Sequence, residues 1–261
     1  MANNKDHRHE IPNFVAPLVL FVTLILVWQV LCDTEVIPSY MLPSPTDVVA
    51  ALVTDVALLA SHAKTTIVEA LLGLVIGVGF GFLVASLMER FELVDKALGP
   101  LITVSQTIPT VAIAPLLVLW LGYDMLPKVV LVVLTTFFPI TVSLNAGFKS
   151  VDKDITDLMK TMKATRWQIF RYAKIPASMP QFFSGLKISA TYAIVGAVIS
   201  EWLGGFSGLG VYMTRVRKSY AYDRMFAVII LISVLSLVLM KLVDVLQKVC
   251  MPWDDKENTH E

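Results

Sequence analysis

The chain has 261 residues, of which 56% are hydrophobic and 16% charged, with a mean hydropathy of +0.71, far more apolar matter than one soluble core requires. Its 21 basic and 21 acidic side chains cancel, which removes the basic surplus expected of a nucleic-acid-binding chain. The charges gather into short stretches between long charge-free windows, so the chain reads as one polytopic membrane domain of the all-α class.

Windows of roughly 18 or more apolar residues, enough to cross a ~30 Å hydrocarbon core at ~1.5 Å per residue, lie at 14–31, 66–88, 100–121 and 129–148. Two further windows, 182–203 and 225–249, carry Lys187, Glu201 and Lys241 near their ends, where long side chains can snorkel. Six spans place both termini, 1–13 and 250–261, on one side of the membrane, with the membrane-spanning body over 14–249. The 149–181 segment holds Lys149, Lys153, Lys160, Lys163, Arg166, Arg171 and Lys174, and by the positive-inside rule it is cytoplasmic. Arg90, Lys96, Lys5 and Arg8 then fall on the same side, as do both termini. Arg215, Arg217, Lys218 and Arg224 fall outside, against the rule, and docking of another protein is the one role that accounts for them.

The first window ends in Val30-Leu31-Cys32. Leu31 is too large for the position before a lipidated cysteine, and no small-residue cleavage site follows, so this is expected to be a retained helix. Cys32 and Cys250 form no CxxC pair and read as structural thiols.

The second window carries Gly73, Gly77, Gly81 and Ala85 at intervals of four, a row of minimal side chains on one helix face. Such a row admits another helix of the same chain, or, alternatively, a second subunit. The third contains Pro109 and Pro115, each of which removes a helical hydrogen bond and pushes its predecessor out of the α region. A broken helix at membrane depth needs protein or a water-filled cavity around it. Ser105, Gln106, Thr107 and Thr110 flank the break and are candidates to line a pathway for a polar solute.

The 155–174 stretch is too polar to span, yet Ile155, Leu158, Met162, Ile169 and Ala173 share one helical stripe flanked by Met159 and Phe170. A single amphipathic helix is expected, lying on the membrane surface or docking a partner.

No GxxxxGK[ST] loop is present to hold nucleotide phosphates, and no metal-ligand spacing or Ser-His-Asp set is apparent. His7, His9, His62 and His260 fall in termini or a loop and read as solvated. A transport subunit, with no cofactor and no metal, fits better than an enzyme. The rival class is an ion-coupled carrier, for which Glu201 is the obvious buried ionisable group, but no inverted repeat accompanies it.

After the amphipathic stretch come Ile175-Pro176-Ala177-Ser178-Met179-Pro180, Gly185-Leu186-Lys187, Glu201 and Ser207-Gly208-Leu209-Gly210. This order resembles the cytoplasmic signature of permease subunits of binding-protein-dependent ABC importers. Met41-Leu42-Pro43-Ser44-Pro45, the run QTIPTVAIAPLL from Gln106 to Leu117, Leu119-Trp120-Leu121-Gly122 and Phe137-Phe138-Pro139-Ile140 support it, over about residues 38–250.

The resemblance implies the type I importer permease fold, with about six transmembrane helices in the cell membrane. It also implies a cytosolic ATP-binding subunit that performs the hydrolysis, an extracytoplasmic solute-binding protein, and a homodimer or close heterodimer around a central pathway. The partner ATPase would dock on about 157–170. Counted back from Pro176, the signature's acidic position falls on Asp157, its two alanines on Leu158 and Met159, its glycine on Lys163 and the next residue on Ala164; Met162 and Ile169 supply apolar contact. Lys163 departs from the pattern, because glycine there supplies a turn that lysine disfavours. The chain looks most like the nitrate, sulfonate and taurine branch, and within it like permeases for thiamine-precursor pyrimidines.

Overall fold

In the computed structural model, which describes residues 15–38 and 40–252, the chain folds around a close contact between two helices, α3 (Val56–Arg90) and α6 (Met125–Lys149). Gly73, Gly77 and Gly81 lie directly on Val132, Thr136 and Ile140, so that a Cβ at any of the three would collide with the facing side chain. The small-residue row is thus spent inside the subunit, which decides between the two readings left open by the sequence. The third core helix, α9 (Ile175–Leu203), packs on both, with Gly185 against Ser143 and Gly196 against Thr135. Ala70, Val132, Ile140, Leu144, Ala190, Ala193 and Ala197 are fully buried between them.

Other helices surround this core. The first, α1 (Val15–Asp33), has no buried residue and touches the body chiefly at α2 (Pro45–Thr54), where Trp28 Nε1 donates to the Pro43 carbonyl at 3.1 Å. An apolar helix open on all faces belongs in lipid or against a partner. Helix α2 starts on a capping box between Ser44 and Asp47 with Pro45 in its first turn. It packs on the last helix, α11 (Tyr222–Cys250), where Val48, Ala51 and Ala227 are buried together. Among the described residues no strand occurs, and five helices are long and apolar enough to cross a membrane.

The expected third span is two helices, α4 (Glu92–Ser105) and α5 (Thr110–Leu121), bent by 98° across residues 106–109 and counting together as the sixth span. Thr107 and Ile108 donate to Val104 and Ser105, a tightening of the last turn, before Pro109 takes an extended ψ of 120° and caps α5. Pro115, by contrast, sits inside α5 without breaking it. Helix α3 also departs from expectation, beginning ten residues earlier than the apolar window, so that His62 lies in a helix and not in a loop.

The basic loops come together at one end. Lys149 pairs with Asp95 at 2.7 Å, and Lys174 pairs with Glu89. At that end lies α7 (Lys153–Thr161); the other end holds residues 122–124 and α10 (Leu209–Lys218). Within the spans, Lys187 is answered by Asp244 at 2.7 Å.

The glycine contact makes a direct prediction. Gly77→Ala should lower stability in detergent by about 1–3 kcal/mol through overpacking. Gly79→Ala, where nothing lies within 4 Å, should be neutral or stabilising by up to about 1 kcal/mol. Thermal unfolding of the two purified variants, compared with wild type, checks the contrast.

Candidate functional site

Three places in the fold carry polar or exposed chemistry. The first is the basic end. The 155–174 stretch is not one helix, as the stripe suggested, but α7, a turn at 162–165, and α8 (Arg166–Ile169), which passes through a π-helical turn (Phe170–Lys174) directly into α9. The turn is a Schellman motif: Lys163 N–H donates to Lys160 O at 2.8 Å and Ala164 N–H to Met159 O at 2.9 Å. It requires a left-handed residue just past the helix end, and Lys163 is that residue, with φ 59°. The position the signature gives to glycine therefore keeps the glycine geometry with a lysine, at a cost of about 1–2 kcal/mol. Thr165 and Gln168 then form a capping box that restarts the helix.

The break divides the expected stripe. Ile155, Leu158 and Met162 are 51%, 62% and 75% exposed, whereas Ile169 and Ala173 are buried against the body. Asp157 is exposed and paired with Lys160 at 2.8 Å, Met159 and Ala164 are half-buried, and Pro176 is exposed at the start of α9. The helix thus carries an open row of large apolar side chains, a surface of the kind that is covered by a partner or by lipid.

The second place is the break between α4 and α5. Gln106 and Thr107 are exposed there and Ser105 and Thr110 half-buried. The Ser105 and Thr107 hydroxyls donate back to the Leu101 and Val104 carbonyls, both at 2.7 Å.

The third was not anticipated. Helix α3 places His62, Thr66 and Glu69 on one face, all buried, opposite Lys128 of α6 and Glu201 of α9. Lys128 Nζ donates to Glu69 Oε1 at 2.8 Å, and Thr66 Oγ1 donates to Glu201 Oε1 at 2.7 Å. The three leading amides of the α10 start are each captured by a side chain from another helix. Gly208 N–H donates to His62 Nδ1 at 3.0 Å, Leu209 N–H to Thr66 Oγ1 at 2.9 Å and Gly210 N–H to Glu201 Oε2 at 2.6 Å. A carboxylate at a helix N-terminus satisfies both the free donors and the dipole. Gly208, at φ 123°, leaves the Glu201 carboxylate the space a Cβ would occupy.

Glu201 is thus a helix–helix contact deep in the protein and lies apart from the α4–α5 break. It is also not alone: Glu69 and Lys128, 1% and 4% exposed, are equally buried, and His62 is buried rather than solvated. Glu69 sits inside the second apolar window in the sequence and Lys128 immediately precedes the fourth. An ionisable residue within a span calls for a partner, and that was the available signal. Beside the pair, a cavity of about 440 Å³ opens between Lys64, Tyr123, Asp124 and Ser207. Nearby, Tyr212 Oη donates to Asp55 at 2.9 Å, and burial, followed by that bond, pushes its hydroxyl up to about 12. It therefore stays a donor at any physiological pH.

An apolar bundle with a broken span and an exposed amphipathic helix at one end defines the class: an integral membrane transport subunit. The comparisons agree. Residues 77–250 match the family model described as the binding-protein-dependent transport system inner membrane component. The chain is 35% identical over 242 residues to the formylaminopyrimidine transport permease protein ThiX of Halalkalibacterium halodurans, covering 92% of this chain and 96% of that one. It is 27% identical over 238 residues to the putative aliphatic sulfonates transport permease protein SsuC of Bacillus subtilis, covering 90% and 86%. Among solved structures, an amino acid ABC transporter shares the fold with a TM-score of 0.63 at 17% identity, over 76% of this chain and 97% of that one.

The chain belongs to the binding-protein-dependent transport system inner membrane component family. It is a permease subunit of an ABC importer, a multi-pass protein of the inner membrane, and ATP hydrolysis is performed by a separate subunit.

Two predictions follow from these sites. Lys128→Met strands a buried carboxylate and should destabilise the subunit by about 3–5 kcal/mol, whereas adding Glu69→Met should recover most of the loss; thermal unfolding of single and double variants measures it. At the turn, Lys163→Gly should stabilise the α7 hairpin by about 1 kcal/mol and Lys163→Val should weaken it. Protection of the 159–164 amides in hydrogen exchange reads this directly.

Proposed function

We propose that this subunit carries a small uncharged heterocycle, of the thiamine-precursor pyrimidine type, across the inner membrane. The observation that carries this reading is the 35% identity to a formylaminopyrimidine permease over nearly the full length of both chains. The residues at the α4–α5 break support it: Ser105, Gln106, Thr107 and Thr110 are neutral hydrogen-bonding groups, and no lysine or arginine occurs between Lys96 and Lys128. A nitrate or sulfonate would call for a cation there. The second reading, a sulfonate or taurine substrate, draws on the sulfonate permease relative and on exposed Arg215 and Arg217.

Two copies, in this reading, face each other across the break and enclose a central pathway, with α4 and α5 presenting Leu101, Val104, Val111 and Leu119 outward. The end with α7 faces the cytoplasm, because it gathers Arg90, Lys149, Lys153, Lys160, Arg166 and Lys174. Both termini fall on that side; residues 1–14 and 253–261 lie outside the described residues. The ATPase docks on Asp157 to Ile169, with Leu158 and Met162 as its apolar anchors, and the solute-binding protein meets the face that carries α10.

Met162→Asp tests the docking. It places a charge on an exposed side chain, so folding should survive, but in the complex that charge is buried without a partner at a cost of about 3 kcal/mol or more. ATPase co-purification should fall at least about a hundredfold in affinity. Uptake by the reconstituted importer, with its binding protein, should be competed by formylaminopyrimidine and not by taurine. Competition by taurine alone would select the sulfonate reading.

A further inference from the structure

The docking stripe leaves a second surface of the same element unused. Between the end of α3 and the α7–α8 hairpin lies a cavity of about 650 Å³, within the range of roughly 300–1,000 Å³ of small-molecule pockets. Its floor is apolar, formed by Leu83 and Leu87 of α3 with Ile169 and Phe170. Its rim is basic, formed by Arg90, Lys160 and Arg166. Among the described residues neither Arg90 nor Arg166 takes part in an ion pair. Lys160 pairs with Asp157, but both are about two-thirds exposed, and such a pair contributes little. The remaining charged wall, Glu89 with Lys174, is self-cancelling.

We propose that this cavity binds an anionic glycerophospholipid, its phosphate held by Arg90, Arg166 and Lys160 and one acyl chain laid along Leu83, Leu87 and Phe170. Three features of the cavity select that ligand. Arginine forks match phosphate oxygens in a bidentate way. The apolar floor has no use for a free phosphate, whereas an acyl chain covers it. The position suits a lipid as well, because Arg90 ends the apolar span of α3 and Trp167, 68% exposed, stands at the rim where membrane-interface aromatics lie.

The site is compatible with docking of the ATPase. On α7, Thr156 and Lys160 face the cavity, while Ile155, Leu158 and Met162 form the exposed stripe. At ~100° per residue these two sets point in roughly opposite directions. A lipid held there would fix the spacing between α3 and the hairpin while the stripe engages its partner. The inference is independent of the substrate proposed above.

The test uses the full importer complex, purified in detergent, stripped of lipid and re-exposed to equal amounts of phosphatidylglycerol and phosphatidylcholine, with bound lipid counted by native mass spectrometry. Wild type should retain phosphatidylglycerol at least fivefold over phosphatidylcholine, and the Arg90→Gln/Arg166→Gln variant should lose that preference. Leu83→Trp, which fills the floor and leaves the rim intact, should reduce retention of both lipids. Equal retention of the two lipids by wild type overturns the proposal, as does an unchanged preference in Arg90→Gln/Arg166→Gln or undiminished lipid retention in Leu83→Trp. Displacement of phosphatidylglycerol by 10 mM inorganic phosphate would assign the rim to a free anion and overturn the lipid assignment.

Discussion

The architecture depends on how closely α3 and α6 approach. Three glycines on one helix let Val132, Thr136 and Ile140 of the other rest on its backbone, and α9 closes the triangle through Gly185 and Gly196. Inside a membrane there is little hydrophobic drive between helices, so dispersion across such small-residue faces is what binds them. The rest of the chain hangs on that triangle: α1 and α2 on one flank, the bent α4–α5 pair on another, and α11 against α9. The exposed apolar surface of α1, α4 and α5 faces away from this core.

The same triangle makes the buried charges tolerable. Two carboxylates and a lysine within a bundle are costly unless each finds a partner. Here α3 and α6 bring Glu69 to Lys128, and α3 and α9 bring Thr66 to Glu201. Glu201 and its neighbours hold the first amides of α10, so this network joins the two sides of the 204–208 loop to the core. Polar groups that a soluble protein would place at its surface serve in this bundle as the cap of a distant helix.

Much of this was legible in the sequence. The apolar windows mark the spans because a bilayer permits little else, and Pro109 marks the break because a missing N–H cannot be hidden. The glycine period marks a contact face, though not which helix fills it; that depends on Val132, Thr136 and Ile140 having matching spacing on α6. The split of the 155–174 stretch was not legible from its stripe, since Ile155, Leu158, Met162 and Ile169 keep a helical period across the turn. Only the left-handed demand at Lys163 reveals it, and lysine conceals a demand that glycine would have shown. His62 was misplaced because α3 continues for ten residues beyond its apolar window, held by Leu59, Ala63 and Tyr212 and not by hydropathy. Glu69 and Lys128 stand 59 residues apart and meet only when the helices do.

The continuity of α8, the π-turn and α9 ties the ends of the molecule together. From Arg166 to Leu203 the chain is one helical run of 38 residues, roughly 57 Å long. One end is the second arm of the hairpin on which α7 is carried, and near the other Glu201 holds the start of α10. Bending a helix this long, packed along the α3–α6 pair, would separate the alanine and glycine contacts that seat it. The π-turn at Phe170–Lys174 interrupts its hydrogen-bond ladder where the helix leaves the core, beside the Lys174–Glu89 pair, and Pro176 and Pro180 remove two further N–H donors just beyond it. The irregular backbone therefore lies next to the α7 hairpin, and the regular ladder runs along the stretch that reaches the buried charges at the opposite end.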